Sequence, residues 1–405
     1  MKNRVLYITY DGLLEPLGQS QVLQYLKGLS SSYDITIVSY EKKSDWDEVD
    51  RRNRINIEIS NRDICWYPLR YHKSPTAIAT FYDILVGMFI GSWLVLTKKV
   101  QVVHARSYVS SVIALLIKKV FKIKFIFDMR GFWADERVGS GILGKASKLY
   151  QVTKWLERRF LLNADAVVSL TDNGVEAMTG FDYLAGKTIN FHVIPTCTDL
   201  EMFKPINNDQ LKDAFGLTDC FVVGYVGSVG NRYLFDEVID TFNMFKKKVA
   251  NAFLLVLNKS EHEFIISKMK KHKMEEKEYR VIAADYSKVS DYITVMDCGL
   301  FYYKPTFSAK ATSPTKLGEF LACGVPCLGN SGVGDVESIL EGEGVGVILH
   351  EFSSGAVSAA ASRLLALCSE SEIKDRCVEV AHRYFSLAQG VESYRRIYDS
   401  LNKGG

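Results

Sequence analysis

The sequence predicts an α/β fold built from two doubly wound domains, each a parallel sheet covered by helices. Short apolar segments of strand length alternate along the chain with amphipathic segments of helix length, a pattern typical of parallel sheets with helices on both faces. This series occurs twice, and the two halves meet at a polar stretch with two prolines, residues 195–208. A chain of 405 residues has room for two such domains.

Twelve apolar segments are predicted as strands, six in each half of the chain. Those of the first half are residues 5–10, 34–40, 100–106, 124–131, 164–171 and 191–196. Those of the second half are residues 221–229, 252–258, 279–284, 298–303, 325–330 and 345–350. Segments with helical spacing of apolar residues follow many of them, for example SQVLQYLKGLS after the first strand and VSSVIALLIKKV after the third.

These elements predict the domain organisation. We expect an N-terminal Rossmann-like domain at residues 1–198, a C-terminal Rossmann-like domain at 199–384, and a final helix at 385–405 that packs back on the first domain. The final helix is amphipathic, with Tyr394 and Tyr398 on one side. Two such domains facing each other form a central cleft, and ligands of open α/β sheets bind beyond the carboxyl ends of the strands.

Composition excludes several classes of protein. Hydrophobic residues make up 47% and charged residues 24%, the balance of a soluble globular protein, and a net charge of +3 gives no argument for nucleic acid as a partner. The eight cysteines form no C-x-x-C pair and no two histidines have metal-ligand spacing. We therefore expect no metal site and no disulfide framework, and a cytoplasmic protein with reduced thiols.

Two segments bear on membrane contact. The longest apolar run, residues 84–97, has fourteen residues and is too short to span a bilayer, so we expect a buried helix, with an interfacial helix as the alternative. Residues 118–125, KKVFKIKF, alternate basic and apolar side chains. They fit a helix end that runs into a strand, or a basic patch that faces anionic lipid at the inner side of the cell membrane.

The segment SPTKLGEFLACGVP, residues 313–326, predicts a short helix with two charged side chains near its start. Ser313 is a suitable N-cap, and the helix is expected over residues 314–323. The free N–H groups and the dipole of a helix start favour an anion, and Lys316 improves it as a phosphate site. Glu319, one turn deeper, is placed to accept hydrogen bonds from hydroxyl groups. The alternative is an ordinary surface Lys–Glu pair.

Other candidate residues lie at the carboxyl ends of predicted strands or directly after them, where the ligands of such sheets bind. They are Asp11, Gly18 and Gln19 after the first strand, Asp128 and Arg130 after the apolar part KFIF of the fourth, and Gly227, Ser228 and Arg232 after the apolar part VVGYV of the first strand of the second half. Gly18 allows close approach of the backbone to a phosphate, or serves a turn. Arg232 is a phosphate ligand or a solvent-exposed loop residue.

Four motifs together resemble the GT-B glycosyltransferases of the large family 4 group, over nearly the whole chain. These are YDGLLEPLGQSQ, similar to the glycine loop of that family, ADAVVSLTDNGVE, FHVIPTCTDLEMFKP at the domain joint, and SPTKLGEFLACGVPCLGN in the second half. Members of this group retain the anomeric configuration and use nucleotide-sugar donors. The resemblance therefore implies a nucleoside diphosphate sugar as substrate and no resident metal or other cofactor.

The resemblance assigns roles to the helix at residue 316. Glu319 matches the second glutamate of the family motif E-x7-E and is expected to bind the donor ribose hydroxyls. Lys316 is expected to contact the donor diphosphate, with help from the N–H groups of Thr315 and Leu317 and from neighbouring Ser313. The first glutamate of the motif falls at Ala311, so that carboxylate is missing.

The remaining matches concern the first domain and the start of the second. Asp128 is expected to orient the acceptor hydroxyl and Arg130 to pair with an acceptor phosphate, or the two form a buried pair that braces the loop. His104, at another strand end, is treated mainly as structural, on the acceptor side with Asp11 and Gln19. Ser228 replaces one of the two basic residues usual after the first strand of the second domain, and Arg232 can serve as the other.

The resemblance thus implies transfer of a sugar to a hydroxyl of a lipid-linked or saccharide acceptor, in synthesis of a cell-surface polysaccharide or glycolipid. With residues 84–97 and 118–125, it leads us to expect peripheral membrane association. Two alternatives stay open. One is a nucleotide-sugar epimerase of the same fold, although no clear constellation of acidic and His groups for its chemistry is seen. The other is a catalytically inactive sugar-nucleotide binding protein, because of Ala311. A dehydrogenase is excluded, because glycines 224, 227 and 230 lack the spacing G-x-G-x-x-G.

Overall fold

The computed structural model describes residues 2–402. They divide into two compact units. The first consists of residues 2–195 and 387–402, and the second is Thr196–Ser386. Each unit has its own parallel sheet, so the predicted α/β class with two doubly wound sheets is confirmed.

The first unit contains a seven-stranded sheet with the order β3-β2-β1-β4-β5-β6-β7, in which all paired strands are parallel. Its strands are β1 Asn3–Thr9, β2 Tyr33–Glu41, β3 Cys65–Arg70, β4 Val102–Arg106, β5 Lys124–Asp128, β6 Ala166–Ser169 and β7 Phe191–Val193. The order reverses between β1 and β4, which is the switch point at which doubly wound sheets open a crevice.

Helices cover this first sheet. They are α1 Pro16–Gly18, α2 Gln24–Leu29, α3 Lys43–Trp46, α4 Val49–Ser60, α5 Thr76–Lys98, α6 Ser107–Phe121, α7 Trp133–Gly139, α8 Lys148–Asn163 and α9 Asp172–Thr179. A π-helical turn, Gln19–Leu23, joins α1 to α2, and a 3-10 turn spans Asp182–Leu184.

The second unit contains a six-stranded parallel sheet with the order β10-β9-β8-β11-β12-β13. Its strands are β8 Phe221–Val226, β9 Ala252–Leu257, β10 Tyr279–Ile282, β11 Cys298–Leu300, β12 Cys327–Asn330 and β13 Gly346–Leu349. Its helices are α10 Asp209–Ala214, α11 Phe235–Lys248, α12 His262–Lys271, α13 Tyr286–Ile293, α14 Thr315–Ala322, α15 Val336–Leu340, α16 Ser354–Cys368 and α17 Ile373–Phe385, with 3-10 turns at Glu276–Glu278 and Phe307–Ala311. Every residue of β9 is buried, since helices cover both faces of the sheet.

The last helix, α18 Leu387–Asn402, belongs to the first unit. It packs against α2, and its buried side chains include Tyr394 and Tyr398. The Tyr33 hydroxyl donates a hydrogen bond of 2.5 Å to Asp399 Oδ1. The chain therefore crosses from the first unit to the second and returns to complete the first.

One strand was absent from the sequence prediction. Strand β3 is an edge strand with half-buried side chains, and it includes Pro68. An edge strand tolerates proline, because one side of its backbone makes no ladder hydrogen bonds. The segment CWYPLR therefore lacks the continuous apolar run by which the interior strands were found.

Helix α5 differs from the expected buried helix over residues 84–97. It begins eight residues earlier, and by length and composition it is the one helix among residues 2–402 that could cross a membrane. Only one of its sides is buried, where Gly87 and Gly91 approach Ile113 and Ile117 of α6. The opposite side exposes large apolar side chains.

The packing of α5 gives a test of the fold. A Cβ atom on Gly87 would lie 2.1 Å from Tyr40 Oη and 2.6 Å from Ile113 Cδ1. The Tyr40 hydroxyl also donates to the Asp83 carbonyl (2.6 Å). We expect Gly87→Ala to lower the free energy of unfolding by about 1–3 kcal/mol through overpacking, despite the better helix propensity of alanine. Thermal denaturation of the purified variant measures this.

The matched control is Gly355→Ala in α16, where a Cβ would meet no atom within 4 Å. That change should leave the melting temperature unchanged or raise it. Adding Tyr40→Phe to Gly87→Ala removes the nearest atom and should recover part of the loss. Equal melting temperatures for Gly87→Ala and the wild type would contradict the close packing of α5.

Candidate functional site

Helix α14 of the second unit holds the two charged residues singled out in the sequence. The helix starts at Thr315 after Pro314, whose backbone is extended, and its residues 316–322 are all buried. Lys316 is 7% exposed and Glu319 is 6% exposed. The alternative of a surface Lys–Glu pair is therefore wrong, because burying two charged groups is costly unless something compensates for the lost water.

Ser313 does not cap this helix, contrary to the prediction. No side chain makes a cap hydrogen bond at Pro314, the residue before the helix. Instead, Ser313 Oγ accepts a hydrogen bond from the Thr196 backbone N–H (3.2 Å), and the Ser313 carbonyl accepts one from the Thr196 hydroxyl (2.8 Å). Ser313 therefore fixes the helix start to the first residue of the second unit.

The N–H groups at the helix start are used differently from the prediction. The Leu317 N–H donates to the Pro314 carbonyl (3.0 Å) within the first turn, so it already has a partner. Helix geometry leaves the N–H groups of Thr315 and Lys316 without carbonyl partners four residues back. These two groups, rather than those of Thr315 and Leu317, are the backbone donors that the helix start offers.

Three tyrosine rings surround the Lys316 ammonium group. Lys316 Nζ lies 4.6 Å from the ring centroid of Tyr225, 4.7 Å from that of Tyr233 and 5.9 Å from that of Tyr303. These are cation–π distances. The Nζ atom is buried and makes no hydrogen bond within the described residues. Burial lowers the pKa of Lys316, although Tyr233 and Glu319 oppose that change. We call Lys316 and these three tyrosines the Lys316 cluster.

The turn after β8 closes over this ammonium group. Gly227 has a φ of 106°, and a Cβ atom there would lie 3.3 Å from Lys316 Nζ. A glycine is therefore required at this position both by the backbone conformation and by the lysine. Asn258 Nδ2 donates to the Gly227 carbonyl (3.0 Å), and the Tyr225 hydroxyl donates to the Ser228 carbonyl (2.5 Å). The predicted residues Gly227, Ser228 and Lys316 thus lie together.

Arg232 lies in the same region and is half-buried, not a solvent-exposed loop residue. Its Cζ lies 5.5 Å from the Tyr233 ring centroid and 5.7 Å from that of Tyr303. Although burial alone raises the pKa of Tyr233, the charges of Lys316 and Arg232 lower it overall. The positive charge of this region is therefore concentrated in two side chains that share aromatic neighbours.

Glu319 lies one turn below Lys316 in the helix. Burial raises its pKa from an ordinary 4.5 to about 7, although the charge of Lys316 acts in the opposite direction. The Glu319 charge in turn contributes to a raised pKa of Tyr286, after burial of that hydroxyl. Position 311, where the family motif carries its first glutamate, is a buried alanine in the 3-10 turn before the helix.

In the first unit, Asp128 at the end of β5 is the centre of a buried polar cluster. The Tyr394 hydroxyl donates to Asp128 Oδ2 (2.9 Å), and His104 Nε2 lies 3.5 Å from the same oxygen. His104 Nδ1 is 2.7 Å from the Tyr398 hydroxyl. Arg130 Nη1 lies 3.8 Å from Asp128 Oδ1. We call these residues the Asp128 cluster.

In the Asp128 cluster, the pKa shifts favour an ionised Asp128 carboxylate and a neutral His104 ring. Burial of Asp128, which is 1% exposed, raises its pKa, but Arg130 and His104 outweigh burial and lower it to about 2. Burial lowers the pKa of His104 against the effect of Asp128. This geometry is that of the bracing Asp–Arg pair offered as an alternative in the sequence analysis.

Arg130 itself has a left-handed backbone, with a φ of 58°, and is followed by Gly131 at 122°. Such a conformation is uncommon for a residue with a side chain and is found where the surroundings fix it. Arg130 Nη2 donates to Gln21 Oε1 (3.4 Å). Its guanidinium is thus held beside the carboxylate by both the backbone turn and the side chain of Gln21 in the π-helical turn.

Residues of the glycine loop after β1 hold the loop together. Asp11 Oδ2 accepts from Arg106 Nε (3.2 Å), and Gln19 Nε2 donates to the Leu14 carbonyl (3.0 Å). A Cβ on Gly18 would lie 2.0 Å from the Gly12 carbonyl oxygen. Gly18 therefore lies in close contact with the Gly12 backbone of the same loop. This fits the turn role that was the alternative to phosphate binding in the sequence analysis.

Several residues in the two clusters, or in contact with predicted site residues, were not identified as site residues from the sequence. These are Tyr225, Tyr233, Tyr303 and Tyr286 in the second unit, and Arg106, Gln21, Tyr394 and Tyr398 in the first. Tyr225 and Tyr303 lie at or beyond strand ends, in VVGYVG and LFYY, so their position in an apolar run was a usable signal. Among residues 2–402, no group of three or more His, Cys, Asp or Glu side chains is arranged to hold a metal ion.

Residues 18–196 match the family model described as "Glycosyl transferase 4-like domain". No curated protein matches the sequence significantly.

Solved structures share the fold over the whole chain. A sucrose-phosphate synthase from Thermosynechococcus elongatus is 14% identical with a TM-score of 0.74, and each chain is covered completely. A glycosyltransferase from Rickettsia africae is 13% identical with a TM-score of 0.72, again with complete coverage of both chains. Anabaena Alr3699/HepE, solved in complex with UDP-glucose, is 11% identical with a TM-score of 0.68, covering 98% of this chain and 99% of that one. The fold is therefore that of the GT-B glycosyltransferases.

The raised pKa of Glu319 predicts a pH-dependent stability. A carboxyl group whose pKa is higher in the folded than in the unfolded state stabilises the fold at low pH, and this stability is lost as the pH rises through about 7. We expect Glu319→Gln, which carries no charge, to be more stable than the wild type at pH 8 by about 1–3 kcal/mol, and much closer to it at pH 4.5. Melting temperatures at both pH values measure the difference.

Glu337→Gln on α15 is the matched control, because that glutamate is exposed. It should leave the pH dependence of the melting temperature as in the wild type. A Glu319→Gln variant that melts below the wild type at pH 8 would mean that the carboxylate is stabilised in the fold rather than destabilised by burial.

Proposed function

We propose that this chain, whose residues 18–196 belong to the Glycosyl transferase 4-like domain family, transfers a sugar from a nucleoside diphosphate sugar to a hydroxyl of an acceptor, with retention of configuration. The observation that carries the proposal is the buried Lys316 ammonium group at the start of a helix, for which residues 2–402 provide no hydrogen-bond partner. Burial of a cation is costly and cation–π contacts offset only part of that cost, whereas a bound diphosphate would offset more of it.

The chemistry of the proposal centres on the leaving diphosphate. As the bond between the sugar and the diphosphate breaks, negative charge develops on the phosphate oxygens. Lys316, the N–H groups of Thr315 and Lys316 and the dipole of α14 stabilise that charge in a site with little water. Arg232 supplies a second positive charge in the same region.

Access to Lys316 requires movement of the turn after β8. The Nζ atom is covered by the ring of Tyr233 and by Gly227. We infer that a diphosphate displaces the segment 227–233 and exchanges cation–π contacts for charge-assisted hydrogen bonds, which are stronger. Gly227 and Gly230 give this segment the backbone freedom for such a shift.

Glu319 is assigned to the ribose of the donor. Hydroxyl groups of the sugar donate hydrogen bonds to a carboxylate, and such bonds favour the ionised form. Because Glu319 has a pKa of about 7 without ligand, nucleotide binding should lower that value and release protons. The carboxylate then distinguishes a nucleotide from a free diphosphate.

In the first unit, the Asp128 cluster is assigned to the acceptor side as a positioning network. Asp128 holds the Arg130 guanidinium and the His104 ring, and Arg130 is placed to pair with an acceptor phosphate because its planar group binds phosphate in a bidentate manner. This assignment suits an acceptor with a phosphate or diphosphate group, as in lipid-linked intermediates of polysaccharide or glycolipid synthesis.

Nucleotide binding tests the donor site. The first probe is UDP, because Anabaena Alr3699/HepE was solved with UDP-glucose; GDP, ADP and dTDP follow. We expect one nucleotide to bind the wild type, and Lys316→Ala to weaken it by about 10- to 100-fold through loss of a charge-assisted hydrogen bond. Isothermal titration calorimetry measures the dissociation constants.

The matched control is Lys247→Ala, which removes an exposed lysine of α11 in the same unit and should leave the affinity unchanged. Glu319→Gln should weaken UDP more than inorganic diphosphate, since diphosphate has no ribose. Equal affinity of the wild type and Lys316→Ala for every nucleotide would remove the main physical support for the proposal.

Turnover distinguishes an enzyme from an inactive binding protein. With the accepted nucleotide sugar and a lipid-linked diphosphate or saccharide acceptor, we expect product with the same anomeric configuration as the donor. The proton coupling at the anomeric carbon, measured by NMR at early times, reports this configuration. Inverted product would contradict the retaining mechanism, and nucleotide binding without transfer to any acceptor would favour the inactive protein.

A further inference from the structure

Three neighbouring helices of the first unit, α5, α6 and α8, cover one side of its sheet and expose apolar side chains. Helix α6 packs between α5 and α8, and all three contact strands of the same sheet. On α5, Phe89 is 73% exposed and Trp93 is 46% exposed; on α6, Val120 is 71% exposed; on α8, Trp155 is 54% exposed. We call the exposed side of these helices the three-helix face.

Helix α5 exposes large apolar side chains along nearly its whole length. Large apolar residues are exposed at positions 78, 81, 85, 89, 93 and 96, three or four positions apart along one side, and at the adjacent position 82. The opposite side of the helix is apolar as well and packs on α6. A surface helix of a soluble protein normally exposes polar residues, and large exposed apolar patches mark interaction sites.

The charges of the three-helix face have one sign. Within α5, α6 and α8, all of whose residues are described, the acidic residues are Asp83 and Glu157, and both are buried. Asp83 accepts from the Tyr10 hydroxyl (2.7 Å), and Glu157 accepts from the Tyr108 hydroxyl (2.5 Å). The exposed charged residues of these helices and their C-caps are Lys99, Lys119, Lys122, Lys148, Arg158 and Arg159.

The exposed apolar side chains and the positive charges together indicate what kind of partner binds the three-helix face. A second copy of the chain docked by the same face would bring like charges together, which opposes association. An anionic lipid bilayer offers an apolar interior for the aromatic side chains and negative headgroups for the lysines and arginines. Tryptophan is typical of the boundary between the two.

The geometry also excludes α5 as a membrane-spanning helix in this fold, although it is long enough. Its buried side carries the Asp83 carboxylate, whose Oδ1 lies 2.6 Å from His72 Nδ1, and the close contacts of Gly87 and Gly91 with the first unit. Crossing a bilayer would remove these contacts and place Asp83 in hydrocarbon. A helix that lies in the plane of the interface keeps them.

We propose that the three-helix face docks this protein on an anionic membrane surface, with α5, α6 and α8 lying along the bilayer. Segments 84–97 and 118–125, the two candidates for membrane contact in the sequence, lie on neighbouring elements of the first unit, and α8 extends the same face. Lys118 and Lys124 contribute less, because both pair with Asp165. The proposal is independent of the glycosyl transfer reaction.

Vesicle flotation with the full chain tests this proposal. The probes are vesicles of phosphatidylcholine alone and of phosphatidylcholine with about 30% phosphatidylglycerol, at low and at physiological salt. We expect binding to the anionic vesicles at least about tenfold stronger than to neutral ones, falling with salt. The fluorescence of Trp93 and Trp155 should shift to shorter wavelength on binding.

Two sets of variants separate the apolar and electrostatic contributions. Phe81→Ser with Phe89→Ser should reduce binding at all salt concentrations, and Lys119→Glu with Lys148→Glu should reduce binding mainly at low salt. All four residues are exposed, and the melting temperature verifies that the fold is kept. The control is Ile57→Ser with Phe264→Ser, which removes exposed apolar residues of α4 and α12 and should bind like the wild type.

Three results would overturn the proposal. One is a wild type that stays unbound to anionic vesicles at low salt. Another is equal binding by the wild type and both sets of face variants. The third is a wild-type dimer in solution that becomes a monomer in the Phe81→Ser/Phe89→Ser variant, because a second copy would then be the occupant of the face.

Discussion

The candidate site of the second unit depends on the environment of one buried lysine. Lys316 lies at the start of α14 with its ammonium group among three tyrosine rings, and its Nζ makes no hydrogen bond within the described residues. Cation–π contacts offset only part of the cost of removing an ammonium group from water. The same burial raises the pKa of Glu319 one turn deeper. The charge of the site therefore favours an anion as ligand, and the nucleoside diphosphate that we propose would supply both negative charge for Lys316 and hydroxyl groups for Glu319.

The sheet of each unit supplies the positions for such groups. In the second unit, the turn after β8 and the start of α14 meet because both follow parallel strands whose carboxyl ends share one edge, and Gly227 lets the turn approach Lys316. In the first unit, β4 and β5 place His104 and Asp128 side by side in the same way, and α18 completes the cluster with two tyrosines. Both clusters contain buried polar atoms that make no hydrogen bond within the described residues. They differ in charge, because Asp128 faces Arg130 and His104 at 3.8 and 3.5 Å, whereas the Lys316 ammonium group is surrounded by tyrosine rings.

The sequence predicted those strands, helices and candidate residues that can be recognised from local patterns or from their position at strand ends. Buried strands were found because helices on both faces make them continuously apolar, and Lys316 and Glu319 were found from a helix start and a family motif. The contacts that tertiary folding creates were not predicted. Ser313 accepts a hydrogen bond from Thr196 instead of capping its helix, and Gly18 packs on the Gly12 backbone. The tyrosines around Lys316 come from three separate segments. The exposed side of α5 could not be recognised in the sequence, because its buried side consists mainly of small and apolar residues as well.

The pKa of Lys316, measured with and without UDP, tests the central claim most directly. NMR of protein labelled at the lysine ε-carbon, with the signal assigned from Lys316→Arg, gives the titration of this one group. The account predicts a pKa below that of ordinary lysines in the free protein, because the group is buried, and a marked rise when the diphosphate binds. A pKa that stays unchanged while UDP binds would show that the nucleotide lies elsewhere and would contradict the account.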